Sequence, residues 1–138
     1  MKSEKNESGY WAGGHTTHRL RYHIVFCPKY RKRVLEGRLA ARLSELLQEA
    51  CEVRRWQLHE LSIQPDHVHV MIQLPPKDSV AFAAQILKGG SSRVIRQEFP
   101  ELSEFLWGAS LWGDGYFAES TGHVNEEVLR DYIRHQGG

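Results

Sequence analysis

The chain has 138 residues, 41% of them hydrophobic and 25% charged, which suits one globular domain that buries roughly two-thirds of its unfolded surface. Two cysteines, Cys27 and Cys51, argue against a disulfide framework or a Cys-rich zinc cluster. No apolar run nears the ~18 residues of a membrane span, and the polar N-terminus lacks a signal-peptide core; the expectation is a cytoplasmic protein with no membrane partner. The net charge of +1 hides an asymmetry: residues 1–55 hold 12 Lys and Arg against 6 Asp and Glu, and residues 56–138 hold 6 against 11. A basic first half points to an anionic partner, nucleic acid being the commonest.

Residues 1–18 are polar and Gly-rich and read as a flexible arm, leaving 19–138 as a single domain. "RLRYHIVFC" (19–27) alternates as a strand, and Pro28 then opens the basic loop "PKYRKR". Residues 37–55 carry Leu39, Leu43, Leu46, Leu47 and Ala50 at helical spacing. "WQLHELSIQ" (56–64) reads as a strand with ragged alternation: Leu58, Glu60 and Ser62 stand against His59, Leu61 and Ile63. "PD" turns the chain into a strand at 67–74, making a hairpin. Residues 78–100 form a second helix, capped by Asp78 or Ser79 and interrupted or loosened near Gly89-Gly90. The following aromatic stretch is irregular, and its Trp107 and Trp112 suit core or dimer contacts better than base stacking. "GYFAES" (115–120) is a short strand. "NEEVLRDYIRHQ" (125–136) is a last helix, capped by Asn125, with Glu126 and Glu127 at its positive end. The order β-α-β-β-α-β-α predicts an α+β fold: a ferredoxin-like or RRM-like antiparallel sheet with an added C-terminal helix. Helices cover one face, and the other is left for a substrate or partner.

The segment "PDHVHVMIQL" (65–74) raises the first chemical question. Val68, Val70, Ile72 and Leu74 share one face and supply core by themselves. His67, His69, Met71 and Gln73 share the other. Two histidines at i, i+2 lie about 7 Å apart on a strand rising ~3.3 Å per residue, so both imidazoles can converge on one ion. Two ligands leave a site incomplete. The last helix offers a row at i, i+4, i+8: Val128, Tyr132 and Gln136. Alone, Tyr132 reads as a core aromatic and Gln136 as a solvated terminus.

Taken together, "YHIVFCPKYRKRVL", "PDHVHVMI", "LKGGSSR", "GYFAES" and "YIRHQ", in this order and at this length, resemble the insertion-sequence 200/605 family, the small single-tyrosine (transposase A type) transposases of the HUH endonuclease superfamily. The resemblance runs from about residue 15 to 136. It implies that His67 and His69 bind a metal, that Tyr132 is the nucleophile and that Gln136 is a third metal ligand. It implies a homodimer that binds hairpins at element ends and cuts and rejoins single-stranded DNA. The tyrosine helix of one subunit can complete the site of the other. The cofactor it favours is Mg²⁺ or Mn²⁺, which suits oxygen donors from a substrate phosphate, although imidazole alone would also accept Zn²⁺.

Around this chemistry, Asp66 is placed to orient a histidine or simply to make the Pro-Asp turn. For DNA contact the candidates are Arg19 and Arg21, then Lys29, Arg31, Lys32 and Arg33 in the basic loop, with Tyr30 among them to stack on an unpaired base. Lys88 and Arg93, around Gly89-Gly90-Ser91-Ser92, form a second candidate patch, where glycines allow close approach to a phosphate and serines donate to it. Three other readings stay open: a host-domesticated relative acting on repeated palindromes, a non-catalytic RRM-like nucleic-acid binder and a structural zinc site.

Overall fold

Alternation in two strands sets the centre of the molecule. The computed structural model describes residues 4–5, 11–12, 20–120 and 126–136. A two-residue ladder joins β1 (Glu4–Lys5) to β2 (Trp11–Ala12). The rest of the expected arm, Arg19 and the Asn125 cap lie outside the described residues. Then come β3 (Leu20–Phe26), α1 (Gly37–Arg54), β4 (Gln57–Gln64), β5 (His67–Leu74), α2 (Val80–Glu98), α3 (Ser103–Leu106), β6 (Phe117–Ser120) and α4 (Glu126–Gln136). The main sheet runs β4-β5-β3-β6 with every neighbouring pair antiparallel. That is the ferredoxin-like order expected from β-α-β-β-α-β.

The even-numbered residues of β3 and β5 face α1 and α2. Ile24, Phe26, Val68, Val70, Ile72 and Leu74 are buried there with Leu39, Leu43 and Leu47 of α1 and Ala83, Leu87 and Ile95 of α2. Each large aliphatic side chain so buried contributes about 1.5–3 kcal/mol relative to exposure. The ragged alternation of β4 has a geometric cause. Leu58 pairs with Ile72 and Glu60 with Met71, so a bulge falls at His59. The extra residue flips the parity, and Leu58, Leu61 and Ile63 all reach the core face, as a bulge allows.

Ser79 caps α2, its hydroxyl accepting from the Phe82 amide at 3.0 Å. The helix does not break at Gly89-Gly90, contrary to the sequence expectation; it runs unbroken to Glu98 because Leu87, Ser91, Ser92 and Ile95 keep a continuous buried stripe. A Cβ at Gly89 or Gly90 would meet nothing within 4 Å. Gly89→Ala and Gly90→Ala are therefore expected to raise stability by about 0.5–1 kcal/mol each, read as a higher urea midpoint with an unchanged slope. A fall would mean the glycines serve a close approach that the isolated chain does not make.

The two serines turn inward rather than toward a phosphate. Ser91 Oγ donates to the Leu87 carbonyl at 2.6 Å and accepts from Trp112 Nε1 at 3.0 Å. Ser92 Oγ accepts from the Leu111 amide at 2.9 Å. They fasten the loop at 110–113 to α2. Trp112 is in the core, edge-on to Phe26 at 4.6 Å. Trp107 is not: it follows α3 with φ +52° and stands 87% exposed. Cys27 and Cys51 are free and buried, and burial pushes their thiols up to about 12 and about 11. Among the described residues no helix is long and apolar enough to cross a membrane.

Candidate active site

The face opposite α1 and α2 carries the odd-numbered residues of β3 and β5. It was expected to stay open, but Val25 and Cys27 on that face are buried, and α4 lies over it. The register says what sits beneath the helix. Val25 pairs with His69 on one side and Phe117 on the other, and the Tyr132 ring lies 6.1 Å from that of Phe117. Extending the β3–β5 register by one residue from Phe26↔Val68 brings Cys27 beside His67. The Cys27 carbonyl accepts from the Gly113 amide at 2.8 Å, and a Cβ on Gly113 would come within 2.6 Å of Gln136 Oε1. Tyr132 thus lies over the row of His69, and Gln136 over the row of His67. Four helical residues rise about 6 Å and two strand residues about 6.6 Å, so the i, i+4 pair of α4 matches the i, i+2 pair of β5.

Asp66 orients His67. Its Oδ1 accepts from His67 Nδ1 at 3.0 Å, leaving Nε2 as the ring nitrogen without a hydrogen-bond partner among the described residues. Such an outer carboxylate fixes the tautomer and strengthens a metal-ligating imidazole. Burial opposes the Asp66 charge, but the hydrogen bond from His67 and the charges of His67, Arg31 and Arg33 outweigh it and hold the carboxyl below its usual value. His69 Nε2 lies 3.0 Å from Nδ1 of His23, the donor depending on the tautomers. Burial first, then His23, pushes His69 below the ordinary imidazole value. His23 received no role from the sequence. Its signal was the β3 parity that puts it on the histidine face, and this becomes visible only once β3 is registered against β5.

Tyr132 Oη is buried and has no hydrogen-bond partner among the described residues. Burial, with a smaller effect of Cys27, pushes the phenol well above its usual value. A buried orphan hydroxyl is costly and calls for an explanation, an unseen ion or ligand being one. Among the described residues no three His, Cys, Asp or Glu side chains converge into a ready-made metal cage. The donor set expected from the sequence is of another kind: the imidazoles of His67 and His69 and the amide oxygen of Gln136, whose chemistry would suit a divalent cation that keeps positions open for substrate oxygens.

The basic residues separate into groups. Arg31 is committed within the chain: Nε meets Asp66 Oδ2 at 2.9 Å and Nη1 donates to the Ile133 carbonyl at 3.1 Å. Arg33 lies 4.0 Å from Asp66 and is mostly exposed. Lys32 sits 5.5 Å over the Phe105 ring, and Tyr30 is 63% exposed with φ +60°. Lys29 is partly buried in the same turn, and Arg21 is half-buried on β3 further from α4. Lys88 Nζ donates to the carbonyls of Gly113 and Gly115 at 2.9 and 2.6 Å, bracing the loop on which Gln136 rests. Burial lowers its ammonium from the usual lysine value, with Asp114 partly offsetting it. Arg93 is not brought to this site: it is exposed beside a groove between α1 and α2, with Leu46, Ala50, Val53 and Ile86.

Fold and site define an α+β protein that sets a histidine pair on a central strand under a tyrosine-bearing helix. Residues 16–136 match the family model described as "Transposase IS200 like", and the chain belongs to that family. It is 34% identical over 122 residues to the transposase for insertion sequence element IS200 of Salmonella typhimurium, spanning 88% of this chain and 80% of that one. It is 30% identical over 119 residues to the ISDra2 transposase TnpA of Deinococcus radiodurans, spanning 86% and 85%. Among solved structures it matches a crystal structure of a Deinococcus radiodurans R1 protein described as a transposase, at TM-score 0.80 and 28% identity over 91% and 95% of the two chains. It shares its fold with a REP-associated tyrosine transposase bound to a REP hairpin, at TM-score 0.54 and 13% identity, covering 100% of this chain and 76% of that one. Membership of a transposase family implies DNA cleavage and strand transfer.

Proposed function

We propose that the chain is a single-stranded DNA transposase that cuts and rejoins insertion-sequence ends through a 5′-phosphotyrosine intermediate. It recognises subterminal hairpins and works as a homodimer, with α4 docked on the sheet of its own chain, as in this structure. The observation that carries this reading is the docking of Tyr132 and Gln136 over the rows of His69 and His67, with the tyrosine hydroxyl buried and unpartnered. A REP hairpin bound to a protein of the same fold supports the hairpin part.

In the proposed reaction Tyr132 Oη forms a bond to a backbone phosphorus and the P–O3′ bond breaks. The phenol loses its proton and the departing 3′ oxygen gains one. The covalent link conserves the energy of the broken bond, so rejoining by a second 3′-OH needs no nucleotide cofactor. His67 Nε2, His69 and Gln136 Oε1 would hold Mg²⁺ or Mn²⁺, which, when bound, neutralises charge developing on the phosphate and fixes it for in-line attack. Asp66 keeps His67 in the ligand tautomer. Lys88, through Gly113, keeps Gln136 seated. Tyr30, Lys32 and Arg33 line the approach, where an unpaired base can stack and phosphates can be met.

The test is adduct formation. The protein is mixed with Mg²⁺ or Mn²⁺ and single-stranded DNA carrying its own element ends, then run on a denaturing gel. The expected result is a metal-dependent, protease-sensitive shifted band that is absent with duplex DNA. Hairpin binding without an adduct under either metal would reduce the chain to a binding module.

A further inference from the structure

The basic turn after β3 is strained in a way that the DNA-contact reading does not use. Tyr30 (φ 60°, ψ 16°) and Arg31 (φ 50°) are consecutive non-glycine residues in the left-handed region. Such conformations cost energy and persist only where surrounding structure holds them. Here the turn is anchored to the rest of the fold by the Lys29 amide, which donates to the Leu111 carbonyl, and is closed on itself by the Arg31 amide donating to the Pro28 carbonyl, both at 2.8 Å. What the strain achieves is the aim of one guanidinium. Arg31 Nε pairs with Asp66 Oδ2, whose other oxygen holds His67 Nδ1. Arg31 Nη1 reaches the Ile133 carbonyl. Ile133 is in the last turn of α4, where carbonyls lack intrahelical donors and the helix dipole is negative. A guanidinium there satisfies an otherwise open acceptor with the favourable charge.

We propose that Arg31 is a positioning residue that locks the tyrosine helix to the histidine pair: one side chain ties the turn of α4 between Tyr132 and Gln136 to the carboxylate that orients His67. The proposal rests on the reading of α4 as the nucleophile helix. It makes docking of that helix and orientation of His67 one event. When α4 leaves, Arg31 loses an acceptor, and when the Asp66 carboxylate is replaced, Arg31 loses the partner that aims it at α4. Lysine cannot replace the fork, because a single ammonium does not present two fixed donors in one plane.

The test is amide hydrogen exchange followed by mass spectrometry on the full chain, without DNA or metal. Arg31→Ala is expected to speed exchange of 126–136 by about tenfold or more, the scale of a lost hydrogen bond to a charged group, with α2 peptides unchanged as the fold control. Arg31→Lys should recover less than half of the protection. Asp66→Asn should also speed α4, although the Asp66 carboxylate is bonded, among the described residues, to His67 and Arg31 rather than to the helix, which a simple helix-end cap would not produce. The lock is overturned if α4 exchange ignores Arg31→Ala, if it responds to Arg31 but not to Asp66, or if α4 in the unmodified chain is already fully exchanged at the earliest time. None of these readouts needs catalysis. A chain that forms no tyrosine adduct but shows the coupled exchange would overturn the enzyme reading and leave the lock standing.

Discussion

Tyr132→Phe should abolish the covalent DNA adduct while leaving the protein as stable as before, or up to about 1 kcal/mol more stable. The two effects have one origin. The hydroxyl is the nucleophile of the proposed reaction, so without it no 5′-phosphotyrosine forms and residual activity falls to the assay background. The same hydroxyl is buried without a partner among the described residues, and an unsatisfied buried polar group costs about 1–3 kcal/mol. Phenylalanine keeps the ring against Phe117 and discards that cost. Burial also holds the phenol above its usual value, so it is a weak nucleophile in the isolated chain. Activation must come from what enters the site. The checks are the denaturing gel for the adduct and a urea titration for stability. A stability loss above about 1 kcal/mol would mean that the hydroxyl has a partner in solution and that the buried orphan is not the resting state.

The fold was largely legible from periodicity, because β5 and α1 present their apolar residues at clean spacings of two and three to four. β4 was less clear because the bulge at His59 flips parity in mid-strand, and period counting sees only noise there. Gly89-Gly90 looked like a break because local propensity speaks against glycine, whereas the buried stripe of α2 overrides it. Among the candidate site residues, the pairing of Asp66 with His67 follows from adjacency. His23 and the locking contacts of Arg31 depend on strand register and on where α4 lands, separations of 46 and 102 residues that no local pattern encodes. The serines of "LKGGSSR" suggested phosphate donors because their hydroxyls are free in the sequence; in the fold the Trp112 loop takes them up. The role of α4 came from family resemblance, since Tyr132 and Gln136 alone look like ordinary helix residues.

Removing either histidine should abolish tight Mn²⁺ binding, yet the two substitutions should differ in what they do to the fold. Loss of an outer-shell partner typically weakens a metal by 10–100-fold, so loss of a ligand is expected to cost at least about 100-fold, measured by Mn²⁺ titration in electron paramagnetic resonance. His67 is partly exposed at the sheet end, and its partner Asp66 keeps Arg31. His67→Ala should therefore change stability by no more than about 1 kcal/mol. His69 is half-buried between strands and bonded to buried His23, so His69→Ala leaves a void and a stranded imidazole, with an expected loss of about 1–3 kcal/mol. The pH dependence separates them further. Burial and the neighbouring His23 hold His69 below the ordinary imidazole value, so the unfolded chain binds the proton first. Its neutral ring contributes fully above about pH 6.5, and that contribution is lost as pH falls from there through the lowered folded value. His69→Ala should flatten the decline in stability between pH 7.5 and 5.5. An unchanged slope in that variant would remove the pH argument, and retained Mn²⁺ binding in either variant would remove that histidine from the ligand set.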